Sequence, residues 1–175
     1  MPLHRRSTYD ESALYEYAVG ALARKMRSVA ELKRLLRQRL PEGDESEAMV
    51  EAVIARLKGQ KYLNDSAYAA AYSSYRRENE KFGRLRVVTD LKARGVHGDV
   101  ITKAVSEAYA GADEEKLARE YLRRKRLKKP GDAKDAARIF RALVRAGYTN
   151  HIIIRILKKW DVDDEVLTTL ESESS

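Results

Sequence analysis

The sequence predicts an all-α protein built from three tandem three-helix repeats in an elongated body. Apolar residues recur at helical spacing along almost the whole chain, and runs that alternate as a β-strand would are scarce. Only three prolines are present, and glycines fall between the periodic segments. Charged residues make up 35% of the chain and hydrophobic residues 43%, a balance that favours a thin body with a large surface over a compact sphere.

The first repeat is predicted over residues 11–63. Its first and third helices carry apolar stripes at helical spacing: Leu14, Ala18, Ala21 and Leu22, then Met49, Val50, Val53, Ile54 and Leu57. Ser28 and Glu31 have the spacing of a capping box, which predicts that the second helix begins there. A polar loop around Gly43 follows that helix, and Gly59 is a stop signal for the third.

The middle repeat is predicted over residues 64–111 and the third over residues 112–160. The second and third helices of these two repeats align without a gap, and the alignment places Gly95 on Gly147. Each repeat therefore continues from a helix to a glycine, one apolar residue, a short turn and another helix. The first repeat is divergent, because Leu40 takes the place of the glycine and the loop is longer.

The two ends of the chain differ in charge. Residues 1–10 lack the apolar segment of a secretory signal, and we interpret them as a disordered lead. Residues 161–175 hold six acidic residues and no lysine or arginine, and are predicted as an acidic tail that begins with a short helix. This tail masks a basic body: the chain has 35 Lys and Arg against 27 Asp and Glu, a net +8, whereas residues 1–160 carry 35 against 21, a net +14.

The cations are concentrated at one helix junction in each repeat. The three clusters are Arg24, Lys25 and Arg27; Arg76, Arg77, Lys81, Arg84 and Arg86; and Arg123, Arg124, Lys125, Arg126, Lys128 and Lys129. Cations at a helix end also complement its dipole, but the third cluster exceeds what one helix end needs. Because equivalent junctions of stacked repeats line one edge, we expect a basic stripe that docks on nucleic acid or on an acidic partner.

Residue types that carry enzyme chemistry are few or scattered. The chain has no cysteine, which excludes disulfides and thiolate metal sites, and His4, His97 and His151 are isolated from one another. There is no glycine-rich phosphate loop, and the acidic residues alternate with cations at the spacing of solvated helix faces. We therefore expect a protein that is not an enzyme and that binds no cofactor or metal.

Tyrosine is the dominant aromatic residue, with ten copies against two phenylalanines and one tryptophan. Tyr68, Tyr72 and Tyr75 share one helix face, which favours the edge of a core with solvated hydroxyl groups. Stacking of Tyr75 or Phe82 on nucleic-acid bases is the alternative interpretation.

Three segments of the chain resemble proteins of the RecX family. Residues 21–32 are similar to the opening of those proteins, and residues 57–69 to a Leu-Asp-Asp-x-x-Phe-Ala pattern, with Asn64 in place of one Asp and Tyr68 in place of the Phe. Residues 81–96 resemble the block Gly-x-x-x-Ile-x-x-Glu-Leu-x-x-Lys-Gly-Ile. The order and spacing of the three segments carry the resemblance.

The resemblance implies three tandem three-helix repeats in a curved, elongated molecule. It also implies binding to the RecA filament on DNA and inhibition of the recombinase, ATPase and co-protease activities of RecA. Single- or double-stranded DNA is a further expected partner. No apolar stretch is long enough to span a bilayer, so we expect no membrane association and a cytoplasmic protein.

The alternative function is general DNA binding, with competition for DNA as its mode of action. A helix-turn-helix-like pair would then place residues 150–159 in a major groove. That segment is rich in isoleucine, which indicates that much of it is buried. No dimerisation stripe is evident, and we expect a monomer.

Overall fold

The computed structural model describes residues 9–174, and the secondary structure over that range is helical. The helices are α1 (Glu11–Arg24), α2 (Val29–Arg37), α3 (Asp44–Gly59), α4 (Asp65–Tyr75), α5 (Arg84–Ala93), α6 (Gly98–Ala108), α7 (Glu114–Arg124), α8 (Ala133–Arg145), α9 (Asn150–Lys158) and α10 (Asp164–Glu173). A π-helical turn, Arg76–Glu80, continues α4. The prediction of an all-α protein is confirmed.

Polar residues at the helix starts explain where several helices begin. The side chains of Asp10, Asn64 and Asp113 accept a hydrogen bond from the backbone N–H three residues further on, and so cap α1, α4 and α7. Ser28 and Glu31 form the reciprocal capping box expected at the start of α2.

The helices pack as three successive groups, each around its own apolar cluster. The first cluster belongs to α1–α3 and the second to α4–α6. The third belongs to α7–α9 and also includes Leu167 and Leu170 of α10, which packs on α8 and α9. The segment expected as an acidic tail thus contains a helix whose leucines are buried.

The expected disordered lead covers residues 1–10, and residues 1–8 lie outside the described part of the chain. Of the remaining two, Asp10 caps α1, and Tyr9 packs against the first apolar cluster.

Neighbouring groups join through the same contact twice. Gly95, which follows α5, lies against Ala30 near the start of α2, so that a Cβ on Gly95 would lie 2.5 Å from the Ala30 Cβ. Gly147, which follows α8, lies in the same way against Arg86 in the first turn of α5, so that a Cβ on Gly147 would lie closer than 3.0 Å to the Arg86 Cβ. Both glycines have a positive φ, +72° and +93°. The aligned glycines therefore end a helix and also bring two repeats together.

Candidate basic docking surface

The first predicted cluster lies on the segment that links α1 to α2. Arg24 is in the last turn of α1, and Lys25 follows in extended conformation. Both side chains are exposed, whereas Arg27 is half-buried. The Nε atom of Arg27 is buried and has no hydrogen-bond partner within residues 9–174.

In the second cluster, two cations pair with acidic residues of α7. The Lys81 Nζ atom lies 3.0 Å from a carboxylate oxygen of Glu120, and the Arg84 guanidinium pairs with Glu114. The hydrogen bond from Lys81 lowers the pKa of the Glu120 carboxyl. These two cations therefore hold the second group of helices against the third.

Two further cations of the second cluster also make internal contacts. The Arg86 side chain bonds Asp90 at 3.0 Å and donates to the carbonyl of Arg145, across the joint, at 3.1 Å. The Arg77 guanidinium donates to the carbonyl of Ala108 within its own group. Most of the second cluster is thus engaged in holding the fold together, which sequence spacing did not indicate.

Arg76 is the member of the second cluster with a different environment. Its guanidinium carbon lies 4.9 Å from the centroid of the Tyr72 ring and 5.7 Å from that of Phe82. Its Nε atom is buried without a hydrogen-bond partner in the described chain.

Two buried tyrosine hydroxyls fix the turn between the π-helical turn and α5. The Tyr148 hydroxyl donates to the carbonyl of Lys81, and the Tyr109 hydroxyl to that of Phe82, each at 2.6 Å. Burial raises the pKa of both tyrosines above the ordinary value. Lys81 has a left-handed conformation, φ 57°, and these bonds hold it there.

The third cluster is the most exposed. Within residues 9–174, four of its cations form no ion pair: Arg123, Lys125, Arg126 and Lys128. Arg124 lies 3.5 Å from Glu80, and Lys129 lies 2.8 Å from Asp161. The end of α7 and the segment after it thus carry four exposed cations without an ion pair in the described chain, against two, Arg24 and Lys25, in the first cluster.

The three clusters are brought close to one another. Arg124 reaches Glu80 of the π-helical turn, and so connects the third cluster with the second. Lys25 of the first cluster and Arg76 of the second line the same groove, of about 430 Å³. Members of the three clusters thus lie near one another, and the basic stripe along one edge stays a prediction.

Sequence reasoning missed several residues next to these clusters. Arg94 lines the groove with Lys25 and Arg76, and Lys61 and Tyr62 line a smaller groove beside it. Lys61 and Tyr62 follow the C-cap residue of α3, Gln60, so a cation beside an aromatic residue at a helix end was the available signal.

The described histidines have local roles. His97 caps α6 through a bond of 3.4 Å from the N–H of Asp99, and His151 contacts Arg155 on the same helix. His4 lies outside the described residues. Across residues 9–174, no cluster of three or more His, Cys, Asp or Glu side chains has the arrangement to hold a metal ion. Over the same range, every helix is too short or too polar to cross a membrane.

Comparison with known proteins identifies the family. The model of the RecX second three-helix domain matches residues 64–105, a range that begins at the cap of α4. A regulatory protein RecX from Leptothrix cholodnii is 33% identical over 155 residues, which cover 89% of this chain and 94% of the relative. The chain belongs to the RecX family.

Other RecX proteins support the same assignment over most of the chain. The regulatory protein RecX from Pseudomonas fluorescens is 33% identical over 153 residues, covering 87% of this chain and 94% of the relative. That of Myxococcus xanthus is 31% identical over 163 residues, covering 86% and 84%. The family is one of regulatory proteins.

Solved RecX structures share the fold. The crystal structure of RecX from Lactobacillus salivarius superimposes with a TM-score of 0.67 at 19% identity, over 86% of this chain and 96% of that one. A second crystal structure of a regulatory protein RecX gives a TM-score of 0.70 at 18% identity, over 85% and 71%. The chain therefore has the fold of these solved RecX proteins.

Proposed function

We propose that this RecX-family chain binds the RecA–DNA filament through its basic junctions and inhibits the recombinase, ATPase and co-protease activities of RecA. The family supports a regulatory role, and the resemblance points to RecA as the partner. The observation that carries the proposed surface is the group of exposed cations at the end of α7 and just after it that form no ion pair within residues 9–174: Arg123, Lys125, Arg126 and Lys128.

Unpaired surface cations favour a polyanionic partner for a physical reason. Each cation that neutralises a phosphate releases a condensed counterion, so affinity falls steeply with salt. Cations already paired with Glu114 and Glu120 would have to give up those pairs first. The third cluster is therefore the main docking surface in this proposal. Arg84 and Lys81 contribute indirectly, because their ion pairs hold α7 in place.

Backbone conformation at Arg126 supports the same surface. Arg126 has φ 57°, a left-handed conformation that glycine adopts with less strain. This turn directs the chain out of α7 and places Arg126 among the exposed cations of the third cluster.

The serial arrangement of the helix groups suits a filament. Cations spread over three consecutive groups can contact more than one RecA protomer, or RecA and a DNA phosphate together. We propose that a single copy acts in this way, in the cytoplasm, within DNA repair by homologous recombination and the SOS response.

The experiment is inhibition of DNA-dependent ATP hydrolysis by RecA, with the chain far substoichiometric to DNA sites. Charge reversal at Arg123, Arg124 and Arg126, each to Glu, should weaken inhibition and flatten its dependence on salt. The matched control reverses three exposed cations on other helices, Arg34, Lys103 and Arg141, and should keep inhibition near that of the natural chain.

Two outcomes would overturn the proposal. Full inhibition by a folded triple variant would remove the third cluster from the docking surface. Inhibition that appears only when the chain coats all of the DNA would favour simple competition for DNA.

Burial of α9 argues against a helix-turn-helix reader. Ile153, Ile156 and Leu157 of this helix lie in the third apolar cluster. The Lys159 side chain at its end bonds Glu115 at 2.7 Å, which lowers the pKa of that carboxyl. The isoleucine-rich face of α9 is therefore occupied by the core, and its exposed residues are His151, Arg155 and Lys158.

A further inference from the structure

Two adjacent grooves lie between the first and second helix groups and share Met26 and Tyr68. We call their combined surface the aromatic groove. Its residues are Leu22, Lys25, Met26, Arg27, Lys61, Tyr62, Asn64, Ala67, Tyr68, Ala71, Tyr72, Tyr75, Arg76 and Arg94. The two parts have volumes of about 430 and 170 Å³.

Three large apolar side chains of the aromatic groove are turned to solvent. Tyr75 and Met26 are each 54% exposed, and Tyr62 is 63% exposed. Tyr68, one helical turn before Tyr72 on α4, is buried and belongs to the second apolar cluster. The exposed side chains are therefore not required for the core, and a cluster of them marks a contact surface.

The floor of the aromatic groove is held rigid by its own contacts. The Tyr72 ring stacks on Tyr68 with centroids 6.0 Å apart, and its hydroxyl donates to Asp90 at 2.9 Å. The guanidinium carbons of Arg76 and Arg94 lie 4.9 and 4.7 Å from the Tyr72 centroid. A ligand would meet a preformed surface of rings and guanidinium groups.

The residues that line the aromatic groove carry charge of one sign, although Glu31 pairs with Arg94 at 3.8 Å and Asp90 accepts from the Tyr72 hydroxyl. Five of its lining residues are cations and none is acidic: Lys25, Arg27, Lys61, Arg76 and Arg94. By contrast, carboxylates line the groove at the start of α3 and the one beside α10. Arg27 and Arg76 also keep a buried Nε–H without an acceptor within residues 9–174. The complement of this surface is an anion with flat apolar parts.

We propose that the aromatic groove binds single-stranded DNA. Bases stack on the exposed rings of Tyr75 and Tyr62, Met26 packs between them, and the surrounding cations contact the phosphates. Exposed aromatic rings inside a basic groove are the usual means of holding a single strand without reading its sequence. A duplex is a poorer fit, because its bases already stack on one another. The choice of DNA over RNA rests on the proposed function, whereas the stacking surface does not.

The test measures binding of the full chain to a fluorescent oligo-dT by anisotropy, without RecA. Tyr75→Ala and Tyr62→Ala should each weaken binding roughly five-fold or more, because one base–aromatic stack is lost. Tyr75→Phe should restore binding, since it keeps the ring. Val144→Ala removes an exposed apolar group outside the groove and should bind as the natural chain does.

An abasic oligonucleotide of the same length separates stacking from charge. The tyrosine variants should bind it as tightly as the natural chain does, since it offers phosphates alone. Equal losses on oligo-dT and the abasic strand, or no loss on oligo-dT, would overturn the proposal. A different result would indicate an acidic peptide as the occupant: polyglutamate displaces oligo-dT, and Tyr75→Ala weakens the binding of polyglutamate.

The two proposals fail separately. Loss of oligo-dT binding in Tyr75→Ala with ATPase inhibition intact supports the aromatic groove and leaves filament docking on the third cluster. Absence of oligo-dT binding by the natural chain at low salt would overturn the aromatic groove alone, whatever the RecA assay shows.

Discussion

Gly83 and Gly147 meet backbone to backbone at the joint between the second and third helix groups. The Gly83 N–H donates to the carbonyl of Ala146 at 2.8 Å, and the Leu85 N–H donates to the carbonyl of Gly147 at 3.2 Å. The start of α5 has no side-chain cap, so the end of α8 caps it instead. A Cβ on Gly83 would lie closer than 3.0 Å to the Gly147 carbonyl.

Gly83→Ala should therefore lower the free energy of unfolding by roughly 1–3 kcal/mol, because the added methyl group forces two backbones apart. The measurement is chemical denaturation at neutral pH. The control is Gly20→Ala in α1, where the methyl group meets nothing within 4 Å. That change should stabilise the chain by about 0.5–1 kcal/mol, since alanine favours a helix interior. Equal changes in the free energy of unfolding for Gly83→Ala and Gly20→Ala would contradict the close backbone contact between Gly83 and Gly147.

Ser28→Ala tests the joint between the first and second helix groups. The buried Ser28 hydroxyl donates to the carbonyl of Arg94 at 2.6 Å and accepts from the N–H of Glu31 at 3.1 Å. Loss of a cap and of a buried bond should lower stability by roughly 1–3 kcal/mol. The control is Thr102→Ala at an exposed position, which should change the free energy of unfolding by less than about 0.5 kcal/mol. A small effect at Ser28 would mean that the joint does not depend on this hydroxyl.

Buried tyrosines should make the fold sensitive to alkali. Burial raises the pKa of Tyr68 to about 12 and also raises that of Tyr109 and Tyr148, whereas an unfolded tyrosine ionises near pH 10. The three tyrosines therefore contribute fully to the free energy of unfolding below about pH 10. That contribution is lost as the pH rises further, because the unfolded chain ionises first. Above about pH 10, each buried tyrosine should lower the free energy of unfolding by up to about 1.4 kcal/mol per pH unit.

Denaturation of the natural chain and of Tyr148→Phe between pH 9 and about 11.5 checks this prediction. The variant should start less stable at pH 9, because the bond to Lys81 is lost, and should then decline less steeply. Parallel declines would show that Tyr148 ionises alike in the folded and unfolded chain.

Arg126→Gly separates docking from stability. Glycine relieves the left-handed conformation at this position, so stability should be unchanged or rise by up to about 1 kcal/mol. Binding to the RecA–DNA filament should nevertheless weaken several-fold, because one free cation is removed. Asp161→Gly makes the opposite change at a residue with φ 59°: it frees Lys129 from its ion pair, so filament binding should stay the same or tighten. Filament binding that survives Arg126→Gly would place the docking surface elsewhere.

Local signals accounted for the helices. The capping box at Ser28 and the cap at Asn64 act through bonds within four residues, and apolar spacing reports on a single helix. For the same reason the repeat was visible in Gly95 and Gly147. The two glycines also form the contacts between helix groups. Those contacts involve residues more than fifty positions away, so the local sequence did not predict them.

The candidate surface was predicted only in outline. Spacing located the cations at helix junctions but could not tell Arg84, which pairs with Glu114, from Arg123, which is free of ion pairs in the described chain. Tyr62 and Lys61 were missed, because they join the aromatic groove only when the segment after α3 folds beside α4 and the link between α1 and α2.

By itself, the sequence determined the helix content, the three-part repeat and the position of the basic clusters, since these depend on hydrogen bonds and spacing within a few residues. The tertiary structure decided which cations are available and which tyrosines are exposed. Those outcomes depend on partners from other helices, such as Glu120 for Lys81 and Asp90 for Tyr72, and the packing of whole helix groups sets the distances between them.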